Sequence, residues 1–175
     1  MLKQMLANNQ HIKLWLVLDN IRSAYNVGAI FRTADGTGIT GLVLLGITPD
    51  PKKQVKVHKT ALGAEDKVPY IYYKNADIFV SELNKLHLNS YLGALELTST
   101  AINLFEWQLD ANIYTNKTYF IAVGHELLGV SSKILVESEF HLQIPMHGFK
   151  ESLNVAESSS ILMYEFYRKY YKLGC

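Results

Sequence analysis

The chain has one cysteine in 175 residues, Cys175, at its last position. A lone cysteine closes no intramolecular disulfide, so the fold has to rest on a packed core. Long apolar runs are also missing. The most compact one, residues 14–18, suits a buried strand and is far too short to span a bilayer. The N-terminus lacks the order of basic start, apolar stretch and small-residue cleavage site that marks a secretory signal. These absences predict a cytoplasmic protein with no membrane partner. In that setting the glycosylation triplet Asn116-Lys117-Thr118 is a chance match. Charge of one sign is not in excess: 17 basic residues face 16 acidic ones, for a net charge of +1. Any nucleic-acid surface must therefore be a local patch. The six histidines show no metal-ligand spacing, which excludes a zinc site. Neither a phosphate-binding G-x-x-x-x-G-K-[ST] loop nor a G-x-S-x-G elbow occurs.

What is present is a hydrophobic fraction of 49%, enough for one domain with a real core and not for two. A single domain over residues 1–175 is expected, with no separate N-terminal RNA-binding domain. Strand-like runs at 13–18, 42–45, 68–73, 91–95, 119–123 and 140–144 alternate with helical patterns at 26–34, 55–62, 76–86 and 160–171. In the first helix Val27, Ile30, Phe31 and Ala34 share a face. This alternation predicts an α/β fold, a mainly parallel sheet covered by helices on both faces. Residues 98–116 are polar and aperiodic and read as a short helix or a surface loop.

Two segments follow apolar strands and carry the residues suited to a ligand. In the first, Ile144-Pro145-Met146-His147-Gly148 breaks a strand, and Ser152 and Asn154 precede a helix. Both residue types cap helices, and exposed backbone groups at such a place also hold small ligands. In the second, Gly124-His125-Glu126-Leu127-Leu128-Gly129 follows another strand directly, where a glycine lets a ligand approach the backbone. Glu126 there is either a solvated glutamate or a group that ties down a neighbouring loop. Asn20, Arg22, Asn26 and Arg32 surround the first strand-to-helix connection. Arg32 either extends to solvent from an apolar helix or recognises a phosphate or hydroxyl with its planar fork. Lys52, Lys53, Lys56, His58 and Lys59 form a local basic cluster, a solvated face or a phosphate-backbone contact. Tyr164, Tyr167, Tyr170 and Tyr171 recur at helical spacing and suggest an oligomer interface. The run Gly36-Thr37-Gly38-Ile39-Thr40-Gly41 fits a dinucleotide fingerprint in letters only. It follows a helix and opens a strand, the reverse of what that fingerprint needs, so it reads as a helix stop and turn.

Three of these segments, taken in order, resemble the SpoU/TrmH branch of the SPOUT RNA methyltransferases. They are the 19–35 stretch with Asn26-Val27-Gly28 and Arg32-Thr33-Ala34, then Gly124-x-Glu126 with Gly129, then Ile144-Pro145-Met146-x-Gly148 with Ser152-Leu153-Asn154-Val155. The resemblance covers nearly the whole chain. It implies a SPOUT-like fold with a C-terminal deep trefoil knot, a rare exception to unknotted chains. It implies S-adenosylmethionine as cofactor, held by Leu95, Gly124, Ile144, Met146 and Leu153, and methylation of a ribose 2′-hydroxyl in tRNA or rRNA. Arg32 would act at the hydroxyl, Asn26, Ser152 and Asn154 would orient ribose and loops, and Glu126 would brace them. Arg22, Lys52, Lys53, Lys56 and Lys59 would contact RNA, and a homodimer would complete the site. The chain departs from the pattern at His125, where asparagine is usual, and at Glu157-Ser158-Ser159-Ser160, where small apolar residues are usual.

A ribose hydroxyl is a poor nucleophile until its proton is taken or its developing charge is stabilised. An arginine, which holds its proton above about pH 12, is an awkward base. It would act with help from an RNA phosphate or as an electrostatic stabiliser. The rival readings are a non-catalytic RNA-binding relative of the same fold and a nucleotide-binding oxidoreductase, the second resting only on the discounted glycine run.

Overall fold

A computed structural model of the chain describes residues 12–85, 89–109 and 117–173. Its elements run β1 (Ile12–Asp19), α1 (Ala24–Thr37), β2 (Gly41–Leu45), α2 (Val55–Ala61), a 3-10 turn (Ala64–Asp66), β3 (Tyr70–Tyr73), α3 (Ala76–Lys85), β4 (Ser90–Leu95), β5 (Ile102–Asn103), β6 (Lys117–Val123), α4 (Ser132–Glu137), β7 (Phe140–Gln143) and α5 (Val155–Leu173). The strands form one sheet in the order β3-β2-β1-β6-β4-β7-β5. Every pairing in it is parallel.

Such a sheet is buried on both faces, which is why its strands read as unbroken apolar runs. Alternate side chains divide between two cores. Leu14, Leu16, Leu18, Leu42, Leu44 and Ile121 pack with Val27, Ile30 and Phe31 of α1 and with Leu162, Met163 and Phe166 of α5. Trp15, Val17, Val43, Leu45, Phe120 and Ala122 pack with Phe79, Val80 and Leu83 of α3 and Ile134 of α4. Parallel strands also place the loops after β1, β2, β4, β6 and β7 along one carboxyl edge, where open α/β sheets bind ligands.

Local chemistry sets the first helix. Ser23 is its N-cap, and the Ser23 hydroxyl accepts the Asn26 N–H at 3.3 Å. Helix α1 ends at Gly38, which has φ +65° and donates its N–H to the Ala34 and Asp35 carbonyls. The glycine run at 36–41 is thus a helix stop followed by a strand, as its order in the sequence suggests. Gly28 has a different purpose. A Cβ there would lie 2.1 Å from Thr60 Oγ1 and 2.2 Å from the Val57 carbonyl oxygen, so α2 crosses α1 at a position only glycine can fill.

The structure departs from the sequence reading at residues 98–109. They carry a seventh strand, β5, and bury Leu104, Trp107 and Leu109. Trp107 stacks on Phe140 at 5.0 Å and meets Tyr119 edge-on at 5.6 Å. Helix α5 lies against the same stretch: Lys169 Nζ donates to the Phe105 carbonyl at 3.1 Å and pairs with Glu165 at 2.9 Å. The three apolar anchors have no helical or strand period, so pattern alone could not show that this segment is core. Residues 110–116 of the expected loop lie outside the described residues. Helix α1 begins before Asn26 and the short α4 went unforeseen, whereas α5 begins at Val155, directly after Asn154 as expected. Trp107→Ala should lower unfolding stability by about 3–5 kcal/mol, the range for a large aromatic lost from a core. Urea unfolding followed by tyrosine fluorescence measures it, and a loss under about 1 kcal/mol would return the segment to a surface loop.

Candidate active site

The loops leaving β4, β6 and β7 converge on a cleft of about 420 Å³. That volume is within the range of small-molecule sites. Leu95, Gly124, Ile144, Met146 and Leu153 line it, as do Glu126, Ser152 and Asn154. The lining mixes apolar side chains with polar and backbone groups in similar measure.

Acidic side chains hold the rim together by accepting backbone N–H groups from other loops. Glu126 accepts the N–H of Arg22 and of Ser23, each at 3.0 Å, and the Asn26 side-chain amide at 3.1 Å. The Asn26 carbonyl oxygen in turn accepts the Asn154 amide at 3.4 Å. Asn154 also caps α5, accepting the Ala156 N–H at 2.8 Å. The first, second and third sequence segments are therefore joined as Glu126, Asn26 and Asn154. Buried Asp19 accepts the Ser131 N–H at 2.7 Å, and Glu96 accepts the adjacent Val130 N–H at 2.8 Å. Asn20, at φ +59°, accepts the Ile47 N–H at 3.3 Å and so ties in the loop after β2.

The loop at 124–130 closes on itself. His125 and Gly129 exchange backbone hydrogen bonds of 3.0 and 2.9 Å. The His125 ring Nδ1 accepts the N–H groups of Leu127 and Leu128 at 3.0 and 3.2 Å. His125 thus shapes the loop, and its accepting nitrogen carries no proton in this arrangement. Gly124 has a reason that differs from the expected one. A Cβ there would lie 2.0 Å from the Gly129 carbonyl carbon and 2.1 Å from the Val130 nitrogen. The glycine admits the returning loop, so a bulky residue disrupts the loop itself and does more than fill ligand space.

The signature of the SpoU rRNA Methylase family matches residues 13–164. The chain belongs to the SpoU rRNA methylase family. A curated relative from Staphylococcus aureus, assigned to the TrmH family of tRNA/rRNA methyltransferases, is 30% identical over 164 residues, covering 91% of this chain and 60% of the relative. The chain thus spans about 60% of the length of the curated relatives it matches. Among solved structures, the SpoU methyltransferase AviRb of Streptomyces viridochromogenes superposes with a TM-score of 0.79 at 20% identity, covering 98% of this chain and 64% of that one. That likeness is one of fold. An AdoMet-bound rRNA methyltransferase of Sinorhizobium meliloti gives 0.77 at 26% identity, covering 89% of this chain and 56% of the other.

Other residues singled out from sequence fall outside the cleft of this SpoU family chain. Arg32 is exposed on α1 and is absent from the lining, so a single copy does not bring it to Glu126 and Asn154. It shares a helical face with Tyr25, Ala29 and Gly36, and a Cβ on Gly36 would lie 3.6 Å from the Tyr164 hydroxyl of α5. Arg22 contributes its backbone N–H to Glu126 while its side chain is exposed. Lys52, Lys53, Lys56 and Lys59 are all exposed, along the loop after β2 and along α2. Lys53 pairs weakly with Asp50 at 3.8 Å, and Lys52 lies 5.7 Å from the Tyr70 ring centre. Tyr164 and Tyr167 are exposed, whereas Tyr170 packs against the core; the Tyr171 side chain lies outside the described residues. Sequence reasoning passed over Glu96 and Asp19, although each follows or ends an apolar strand at the carboxyl edge.

Partial burial is the largest influence on Glu126 and pushes its pKa up. Hydrogen bonds from the Arg22, Glu126 and Ser23 N–H groups and the Asn26 amide together outweigh it, leaving the carboxyl below its usual range. A carboxyl lowered on folding stabilises fully above its unfolded value, about 4.3, and loses that contribution as pH falls through the folded value. Glu126→Gln should therefore cost about 1 kcal/mol or less at pH 7, because solvent screens this rim position. The difference from wild type should shrink as pH falls below the unfolded value, about 4.3, and through the lower folded one. Denaturant unfolding under neutral and acidic conditions checks both statements; a deficit that is the same in both would deny the charge its role.

Proposed function

We propose that this chain is an S-adenosylmethionine-dependent RNA methyltransferase acting on a ribose 2′-hydroxyl of tRNA or rRNA. The observation that carries the reading is the joining of Glu126, Asn26 and Asn154 from three separate segments at the mouth of one cleft. Retention of these residues together with Arg32 and Ser152 argues against a binding relative without turnover. Family membership and the likeness to an AdoMet-bound rRNA methyltransferase support it. A solved structure on 2-OH methylation of C/U34 on tRNA shares the fold, with a TM-score of 0.76 at 23% identity.

The cleft fits the cofactor chemically. Leu95, Ile144, Met146 and Leu153 offer apolar surface to an adenine ring, and the backbone around Gly124 offers hydrogen-bonding groups. Three glutamates line it and, among the described residues, no lysine or arginine does, which suits a cation. S-adenosylmethionine, when bound, supplies a methyl group already activated by its sulfonium. The protein's task is then to position the ribose and to stabilise its oxygen as the proton passes to an RNA phosphate or to solvent. Glu126 and Asn26 hold the loops in register, and Ser152 and Asn154 present hydrogen-bonding groups to the ribose. Arg32 supplies positive charge to the developing alkoxide; a guanidinium keeps its proton and is better suited to that than to base catalysis.

Arg32 reaches a cleft only if a second copy delivers it. The proposal therefore includes a homodimer in which the exposed face of α1 and the Tyr164 and Tyr167 face of α5 meet their counterparts isologously. It also includes the deep trefoil knot, supported by the fold shared with solved SpoU methyltransferases. No helix among the described residues is long and apolar enough to cross a membrane; a cytoplasmic location is part of the same reading.

Arg32→Ala should cut single-turnover methyl transfer to RNA by about 100-fold or more, on the scale of charge and proton-transfer contributions. Cofactor affinity by calorimetry should stay within a few-fold. Arg32→Lys should also be poor, since it loses the planar fork. A near-normal rate in the alanine variant would remove Arg32 from the chemistry, and a monomer by light scattering with transfer intact would remove the dimer. Replacing Lys52, Lys53 and Lys56 with alanine should weaken RNA binding and lower the slope of log affinity against log salt by about 2–3, near one for each phosphate no longer neutralised. The rate at saturating RNA should hold. An unchanged slope would make these lysines an ordinary solvated face.

A further inference from the structure

One carboxylate in the cleft, Glu96, braces the loop after β6 but has no part in the catalytic roles above. Glu96 follows β4 directly and lines the cleft. Its Oε2 accepts the Val130 N–H at 2.8 Å. A Cβ built on Gly129 would lie 2.7 Å from Oε2 and 3.0 Å from Oε1, so the carboxylate rests against bare backbone that no other residue type could offer. Among the described residues Oε2 has this one donor, and no hydrogen bond reaches Oε1. Glu126 differs: the N–H groups of Arg22, Ser23 and its own residue and the Asn26 amide share its charge. Glu151, the remaining acid of the lining, is exposed at the rim. Among the described residues the lining holds no lysine or arginine, so the negative charge of Glu96, the one partly buried acid of the three, has only the Val130 N–H to offset it.

We propose that Glu96 is the residue by which this site distinguishes a positively charged sulfonium methyl donor from its neutral thioether product. The inference rests on the cofactor reading above. Donor and product share the adenine, the ribose and the amino-acid portion. They differ in one methyl group and one positive charge. Apolar walls and backbone groups bind the shared parts equally well and cannot separate the two. A carboxylate within several ångströms of the sulfur can, because the attraction vanishes when the methyl leaves. The product is then held less tightly than the donor, and the site clears for the next turn. A half-exposed carboxylate at about 6 Å, with an effective dielectric near 20, supports a preference of about tenfold once solvent screening is allowed for.

The competing role is a plain brace for the Gly129–Val130 backbone. Glu96→Gln separates the two, because the amide oxygen still accepts the Val130 N–H while the charge is removed. Calorimetry on the full chain would give dissociation constants for S-adenosylmethionine and S-adenosylhomocysteine. The expected result is donor affinity weakened about tenfold in Glu96→Gln, with product affinity within about twofold. Wild-type donor preference should also shrink as salt is raised, a measurement that needs no variant. Equal weakening of both ligands would overturn the proposal in favour of a brace or a contact to a shared group. An unchanged ratio, in the variant or across salt, would overturn it as well. If wild type binds neither ligand, the cofactor reading itself fails, which is a different result from binding both with no charge preference.

Discussion

The site depends on carboxylates that accept backbone N–H groups across the carboxyl edge of the sheet. Parallel strands deliver several loops to one edge, but nothing in strand pairing fixes those loops relative to one another. Glu126 draws the loop after β6 onto the start of α1 through Arg22 and Ser23. Asp19 and Glu96 capture the adjacent N–H groups of Ser131 and Val130 from two different strands. Charged acceptors make stronger hydrogen bonds than neutral ones, and backbone donors have no rotamer entropy to lose. A few such bonds can therefore set the shape of a cleft that has little regular structure of its own.

Glycines complete the same device from the other side. Gly124 admits the backbone of Gly129 and Val130, and Gly129 leaves room for the Glu96 carboxylate. A residue that looks like ligand space in the sequence is thus spent on loop packing, and the ligand space is what the packed loop leaves over. His125 fits this picture. Where the family usually has asparagine, the imidazole Nδ1 accepts the N–H groups of Leu127 and Leu128, so the departure from pattern preserves the loop.

The layout has a consequence for catalysis. The cleft gathers apolar surface and negative charge within one copy, while the cations singled out as functional, Arg32 and the lysines at 52–59, lie on exposed faces of α1, α2 and the loop before it. Under the proposed function, a cationic donor and an anionic RNA would place opposite demands on the protein field. Separating acidic cleft from basic surface meets both without either cancelling the other.

Much of this was legible from residue order. Unbroken apolar runs separated by helical periods specify a parallel sheet covered on both faces, because only burial on both sides tolerates such runs. Gly36 to Gly41 could be dismissed as a fingerprint because a helix precedes it. The segments around Asn26, Glu126 and Asn154 stood out by residue type and position. Tertiary structure alone decided that these residues touch, that Trp107 and Leu104 belong to the core, that Gly124 serves the loop, and that Arg32 lies outside the cleft of its own chain. The physical reason is range. Periodicity and capping act within a few residues, whereas Asn26 and Glu126 are 100 positions apart. Their meeting is set by which strands lie side by side, and strand order is a property of the whole folded chain.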